Sequence, residues 1–208
     1  MTAYAPDMTL RDARARYYAA NGFGADGGDS ERWVEVRVGR FPMWFPNTRG
    51  RRYAVKFHDL HHVLTGYPTS LEGETEIGAW EVSTGLGRHY VGWLLDLLAF
   101  TAGLGVNPRG VHRAFVRGRH SRNLFSREWD ERFLSRTVGE VRRSLGLDAK
   151  PRRATAGDNV AFVAWSLAGL AVSTAAFPLL VVPLFVVTLP LRLSRRSDRA
   201  SPVGRRMK

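Results

Sequence analysis

His58-Asp59-Leu60-His61-His62-Val63-Leu64-Thr65-Gly66-Tyr67-Pro68-Thr69-Ser70-Leu71-Glu72-Gly73-Glu74 is the stretch that organises this 208-residue chain. On a helix turning about 100° per residue, His58 stands at about 0°, His62 near 40° and Asp59 near 100°. Three ligand-type side chains thus share one arc, and Leu60 points the other way, toward a core. Two histidines at i and i+4 can both reach one ion, and a neighbouring carboxylate can complete or orient the set. Gly66 and Pro68 then turn the chain. Ser70 can cap a second helix that runs back, with Glu74 in its first turns. Histidine and carboxylate together suit zinc, iron or manganese. Glu81 lies seven residues beyond Glu74, on nearly the same face but about 10 Å farther along. That is too far for the same ion: Glu81 reads as a partner behind the ligands or of His61, or equally as a solvated or core-satisfied carboxylate.

The alternatives are weaker. No Glu lies between the two histidines, as a zincin requires. No histidine precedes His58, as a His-Asp phosphohydrolase requires. Neither His58 nor His62 has a Glu three residues before it, as a di-metal bundle requires. A mononuclear site remains. The chain has no cysteine, which excludes disulfides, iron–sulfur clusters, thiolate zinc and thiol nucleophiles.

Outward from the motif the pattern is helical. Candidate helices cover Arg52–Leu64, Leu71–Thr84, His89–Leu104, Arg109–Val116 and Ser126–Leu145, punctuated by Gly66-Tyr67-Pro68 and Asn107-Pro108. Thr9 caps a short helix to Ala20. Val34, Val36 and Val38 alternate with Glu35 and Arg37, and Gly39-Arg40 turns this strand into a hairpin whose second strand carries Pro42 and Pro46. Arg109, Arg113 and Arg117 recur every four residues, and no acidic residue occurs from Leu97 to Arg127. That face can hold a carboxylate or a lipid headgroup.

The formal net charge is +12, and it is unevenly spread. Residues 1–149 carry net +4, and residues 150–208 carry net +8 around 33 consecutive uncharged residues, Asn159 to Leu191. Crossing a bilayer core of ~30 Å takes about 20 apolar residues, so this run reads as a membrane segment. Pro178, Pro183 and Pro190 interrupt it, and basic residues flank both ends. Basic flanks stay on the inner side, which favours a hairpin returning near Ser173–Pro178 over a single span. The segment would anchor the chain to the cytoplasmic face of the cell membrane. Anionic lipid then accounts for the tail's charge. No zinc finger, RNA-recognition signature or basic–heptad pattern is present, so no nucleic-acid partner is expected.

The motif His58-Asp59-x-x-His62, eleven residues from Val63 to Gly73, then Glu74, resembles that of the Coq-four family of ubiquinone (coenzyme Q) biosynthesis proteins. Gly66-x-Pro68-Thr69, Gly73-Glu74, Trp80-Glu81, Thr84-Gly85-Leu86, Arg127-Glu128-Trp129-Asp130, Arg142 and Leu145-Gly146-Leu147 agree with it. The matching region is roughly 52–148.

The resemblance implies a metal held by His58, Asp59, His62 and Glu74, usually zinc, with iron or manganese possible. His61 and Glu81 would stand behind the ligands. It also implies a mainly helical, membrane-associated protein that acts on a prenylated quinone precursor or other isoprenoid lipid. The step would be oxidative decarboxylation and hydroxylation at ring carbon 1, beside other quinone-biosynthesis proteins. A non-catalytic lipid-binding scaffold for those proteins is the alternative. The expected architecture is mainly α: a helical bundle of the Coq-four type with a small N-terminal β-hairpin and a C-terminal hydrophobic membrane segment. Residues 1–51 would hold the first helix and hairpin, 52–149 the metal-binding core and 150–208 the membrane segment with its basic flanks.

Overall fold

A computed structural model of the chain describes residues 4–38, 41–150, 152–176 and 178. Among these residues there are eight helices and two strands: α1 (Leu10–Asn21), β1 (Trp33–Val38), β2 (Phe41–Pro46), α2 (Arg49–Thr65), α3 (Leu71–Thr84), α4 (Tyr90–Val106), α5 (Pro108–Arg119), α6 (Glu131–Leu134), α7 (Val138–Leu145) and α8 (Ala156–Ala176).

Side-chain oxygens start most of the helices. Thr9, Thr48, Ser70, Asn107, Asp130 and Thr137 each accept a backbone N–H of the first turn. Each such cap satisfies a donor that the helix itself cannot. Two caps correct the sequence reading, which drew one helix from Ser126 to Leu145. The carboxylate of Asp130 accepts from the Phe133 N–H, and Thr137 forms a capping box with Glu140. The segment therefore starts twice, as α6 and α7. β1 pairs antiparallel with β2, from Trp33 opposite Pro46 to Val38 opposite Phe41. The expected Gly39-Arg40 turn lies outside the described residues.

α3 is the centre of the fold. It packs most extensively on α5 and α4 and carries the fully buried Trp80 and Ile77. The core around it draws Leu10, Ala13, Tyr17 and Tyr18 from α1, Phe57, Leu60 and Leu64 from α2, Phe100 from α4, and Val138, Val141 and Leu145 from α7. The chain before α1 is tied to α7: the Val138 N–H donates to the Met8 carbonyl and the Gly139 N–H to Pro6, both at 2.8 Å. Leu97 and Phe100 of α4 are core residues, whereas Trp93 is half-buried beneath α8.

α8 is, among the described residues, the one helix long and apolar enough to cross a membrane, and only 6% of its most apolar stretch is buried. That exposure argues against a core helix of a soluble protein. One side of α8 is nevertheless fixed to the body. Trp165 stacks on Trp93 with ring centroids 5.2 Å apart, and Phe162 meets Phe100 and Phe115 edge-on. The buried Asp158 accepts from the backbone and hydroxyl of Thr155, from Arg119 Nε and from His120 Nε2. Val160, Val163, Leu167 and Leu170 remain exposed on the outer side. Ser173 to Ala176, where the hairpin return was expected to begin, are still helical as the end of α8; the expected continuation of the apolar run to Leu191 and the basic tail lie outside the described residues, apart from Pro178.

Candidate metal centre

The α2–α3 corner is built by local chemistry. Gly66 ends α2 in the left-handed conformation, φ 80°, and its N–H reaches the His62 carbonyl at 3.0 Å; glycine adopts that backbone without a Cβ penalty. Gly73, in the first turn of α3, lets the helix close against the turn. A Cβ there would stand 2.0 Å from the Pro68 carbonyl oxygen. Replacing Gly73 with alanine is expected to push the start of α3 outward at a cost of about 1–3 kcal/mol and to carry Glu74 away from the histidines. Comparing denaturation midpoints and metal affinity of the Gly73→Ala chain checks both effects.

His58 Nε2 and His62 Nε2 face each other at 3.1 Å, and each lies 3.4 Å from a Glu74 oxygen. The protonation of these atoms follows from their neighbours. His62 Nδ1 lies 2.9 Å from the Tyr67 carbonyl oxygen, which can only accept, so Nδ1 carries the hydrogen. His58 Nδ1 donates in the same way to Glu81 Oε2 at 3.0 Å. With both Nδ1 atoms committed as donors, each Nε2 presents a lone pair when its ring is neutral. In that state two imidazole lone pairs and a carboxylate converge on one point with no hydrogen between them. Three acceptors at these separations repel unless a cation stands among them, either a proton or a metal ion. The set therefore fits a divalent metal on its donor chemistry.

Behind the ligands, Glu81 is fully buried and joins two histidines. Its Oε1 accepts from His61 Nδ1, and His61 Nε2 accepts the Leu124 N–H at 2.9 Å. His61 is thereby a neutral ring held by the backbone beyond α5, and burial pushes its pKa down. Burial opposes charge on His58 and Glu81 as well. Their mutual attraction outweighs it, with help from Glu74 on the first and from His61 on the second. His58 is raised well above the imidazole range and Glu81 held well below the carboxylate range. Glu74 is lowered too: burial opposes its charge, and the facing His58 and His62 imidazoles, which donate to it when protonated, overcome that.

Asp59 was expected among the ligands, and the structure places it elsewhere. Its buried carboxylate accepts from the Tyr18 hydroxyl at 3.0 Å, on the α1 side of the helix, and it is not in the group of converging ligand atoms. The 100° step from His58 to Asp59 is enough to turn it toward α1. Asp96 went unread in the sequence. It is buried in α4, and one of its oxygens lies with ligand atoms of His58 and Glu81 in a second group spanning less than 4.8 Å. Burial and the adjacent Glu81 raise its pKa well above the ordinary value. Its signal was available: it is the one acidic residue inside the apolar run Trp93-Leu94-Leu95-Asp96-Leu97-Leu98.

The arginine face divides. Arg109 and Arg113 are exposed. Arg117 donates through Nη1 to the Thr65 carbonyl at 3.0 Å and lies over the Tyr67 ring. A spacing of four drifts about 40° per step around a helix, which brings the third arginine round to the end of α2. Arg117 holds the metal-site corner rather than an external anion.

The family model of the coenzyme Q (ubiquinone) biosynthesis protein Coq4 matches residues 48–151, half the chain. The chain belongs to the Coq4 family. That segment runs from the α2 cap through α7 and contains His58, His62, Glu74, Glu81 and Asp96. Similar proteins include the mitochondrial ubiquinone biosynthesis protein coq4 of Talaromyces stipitatus, 27% identical over 70% of this chain and 48% of that protein. The Yarrowia lipolytica protein of the same name is 33% identical over 45% of this chain and 37% of that protein. The Aspergillus niger protein is 25% identical over 70% and 48%. The chain spans about half the length of these relatives or less. No solved structure matches it significantly.

These names correct the expected location at the cytoplasmic face of the cell membrane. The six Coq4 relatives are mitochondrial proteins. Flanking charge reports on which side of a bilayer a segment begins and ends; it carries no information on which bilayer.

Proposed function

We propose that the chain performs a metal-dependent, membrane-associated step of ubiquinone biosynthesis on a prenylated aromatic ring, with decarboxylation and hydroxylation at ring carbon 1 as the reaction. The observation that carries this reading is the convergence of His58 Nε2, His62 Nε2 and a Glu74 carboxylate whose side chain is 40% exposed. The ligand set is held from behind and open in front. A bound divalent ion would supply Lewis acidity toward a ring carboxylate or phenol; the replacement of carboxylate by hydroxyl is a two-electron oxidation that releases CO2 and takes dioxygen as oxidant, and iron or manganese would supply the redox change that zinc cannot. The chain's own part is orientation. Glu81 and the Tyr67 carbonyl fix the two imidazoles, and Tyr18 holds the Asp59 carboxylate on the α1 side of the helix, outside the converging group. Zinc follows from the resemblance; the donor set suits all three metals.

A structural metal in a lipid-binding scaffold is the second reading. It is favoured by the way Glu81, His61 and the Leu124 N–H tie α2, α3 and the chain beyond α5 together. Complementation of a quinone-deficient strain separates the two. His62→Ala and Glu74→Ala chains that fold, retain partner assembly and make no quinone support the enzyme; full complementation by both supports the scaffold. Wild-type protein purified without chelator is expected to hold one metal per chain, and His58→Ala none. A wild type without stoichiometric metal overturns both readings.

A further inference from the structure

We infer that a shallow cleft between the start of α5 and the foot of α8 binds the phosphate of an anionic membrane lipid, with the outer faces of α4 and α8 lying in the acyl layer. This rests on the membrane association proposed above and names the face that docks. Pro108, Arg109, His112, Arg113 and Phe162 line a cleft of about 390 Å³.

Its two guanidiniums are one turn apart on α5 and exposed. Among the described residues neither forms an ion pair, whereas the nearby Arg119 pairs with Asp158. No acid occurs along the chain from Leu97 to Arg127, and the Glu76 carboxylate of α3, which lies at the start of α5, accepts from Asn107 Nδ2 at 3.1 Å rather than pairing with either arginine. The walls are fixed: His112 Nε2 is bonded to Asn159 Oδ1 at 2.8 Å, and its ring meets Phe162 edge-on at 4.9 Å.

Exposed apolar side chains stand on both neighbouring helices. Val106 ends α4 at 47% exposed, and Val160 and Val163 lie in the first two turns of α8 at 71% and 56%. A cationic floor between apolar edges matches an amphiphile, with the phosphate on the arginines and the chains along Val160, Val163, Leu167 and Leu170. Free phosphate would have no use for the apolar side chains. A second copy of this face would bring the same guanidiniums with no carboxylate to meet them.

The cleft sets an orientation. α5 and α8 meet the membrane, and α3, against which α5 packs, carries Glu74 and Glu81 on the layer behind.

The test keeps charge and changes shape. Arginine offers a planar fork to a phosphate where lysine offers a point charge. Binding of the full chain is measured on phosphatidylcholine vesicles with and without phosphatidylglycerol. Arg109→Lys/Arg113→Lys is expected to weaken binding to anionic vesicles roughly tenfold, while Arg152→Lys/Arg153→Lys on the chain before α8 leaves it unchanged. Inorganic phosphate at matched ionic strength is expected not to displace the vesicles. Wild-type binding by the Arg109/Arg113 variant overturns the cleft and leaves diffuse attraction. Displacement by inorganic phosphate makes the occupant a free anion and overturns the lipid assignment. A wild type that binds neither kind of vesicle overturns the membrane reading itself.

Discussion

Glu81→Ala is expected to destabilise the fold by about 3–5 kcal/mol, the usual cost of removing one partner from a buried ionic network. The carboxylate is fully buried and accepts from two imidazole Nδ1–H groups, those of His58 and His61. Alanine leaves both donors without partners in a site closed to water, and each unsatisfied group adds to the loss. For a chain of this length such a change lowers the melting temperature by roughly 10 °C. Thermal and chemical denaturation of the metal-free chain measure it. A midpoint indistinguishable from wild type would show that the two imidazoles find other acceptors, and that Glu81 is not what holds them. Glu81→Gln separates stability from orientation. The amide keeps one acceptor oxygen but sets an NH2 against the other histidine, so one ring must rotate or lose its bond. The expected result is a smaller loss of stability with metal affinity reduced about 10–100-fold, as for outer partners of metal-bound histidines elsewhere.

Glu74→Gln is expected to act in the opposite sense on the two properties. In the wild type, three acceptors converge with only a proton or a metal to reconcile them. The glutamine NH2 supplies hydrogens to that point. At alkaline pH, where the His58 proton is gone, the metal-free variant is therefore expected to be as stable as wild type, or more stable by up to about 1 kcal/mol, the net worth of an ordinary hydrogen bond. Metal affinity falls further than for any outer partner, because a charged ligand is gone.

The pH dependence follows from the same groups. His58 is raised above its ordinary value of 6.5. Its contribution to stability is complete below that value and is lost as pH rises through the higher, folded one. Glu74 is lowered from 4.5. Its contribution is complete above that value and is lost as pH falls through the lower one. Together they favour the metal-free wild type between about pH 4.5 and 6.5. Metal must displace the His58 proton, so affinity climbs with pH until that proton is gone. Glu74→Gln removes one of the carboxylates that hold the proton, so its stability should start to fall at lower pH on the alkaline side. A Glu74→Gln chain that loses metal-free stability and keeps the wild-type pH profile would refute the three-acceptor arrangement.

What the sequence determined by itself is whatever depends on neighbours along the chain. The helical arc of His58 and His62, the Gly66 and Ser70 punctuation and the span Leu71–Thr84 are local consequences of the helix period and capping chemistry. The apolar run from Asn159 has the same character, since length and the absence of charge require no fold to recognise. A repeating four-residue interval could not say that Arg117 leaves the anion face, because that depends on where the end of α2 lies. Nor could adjacency in sequence decide Asp59, which shares the motif and yet faces Tyr18. Asp96 and the Leu124 N–H reach the centre across 38 and 66 residues from His58, and only packing of α4 and the segment beyond α5 against α2 brings them there. Tertiary structure also decided the protonation of the ligands. In the neutral rings, lone pairs on both Nε2 atoms follow from acceptors behind each ring: the Tyr67 carbonyl at the corner, and on α3 the Glu81 carboxylate.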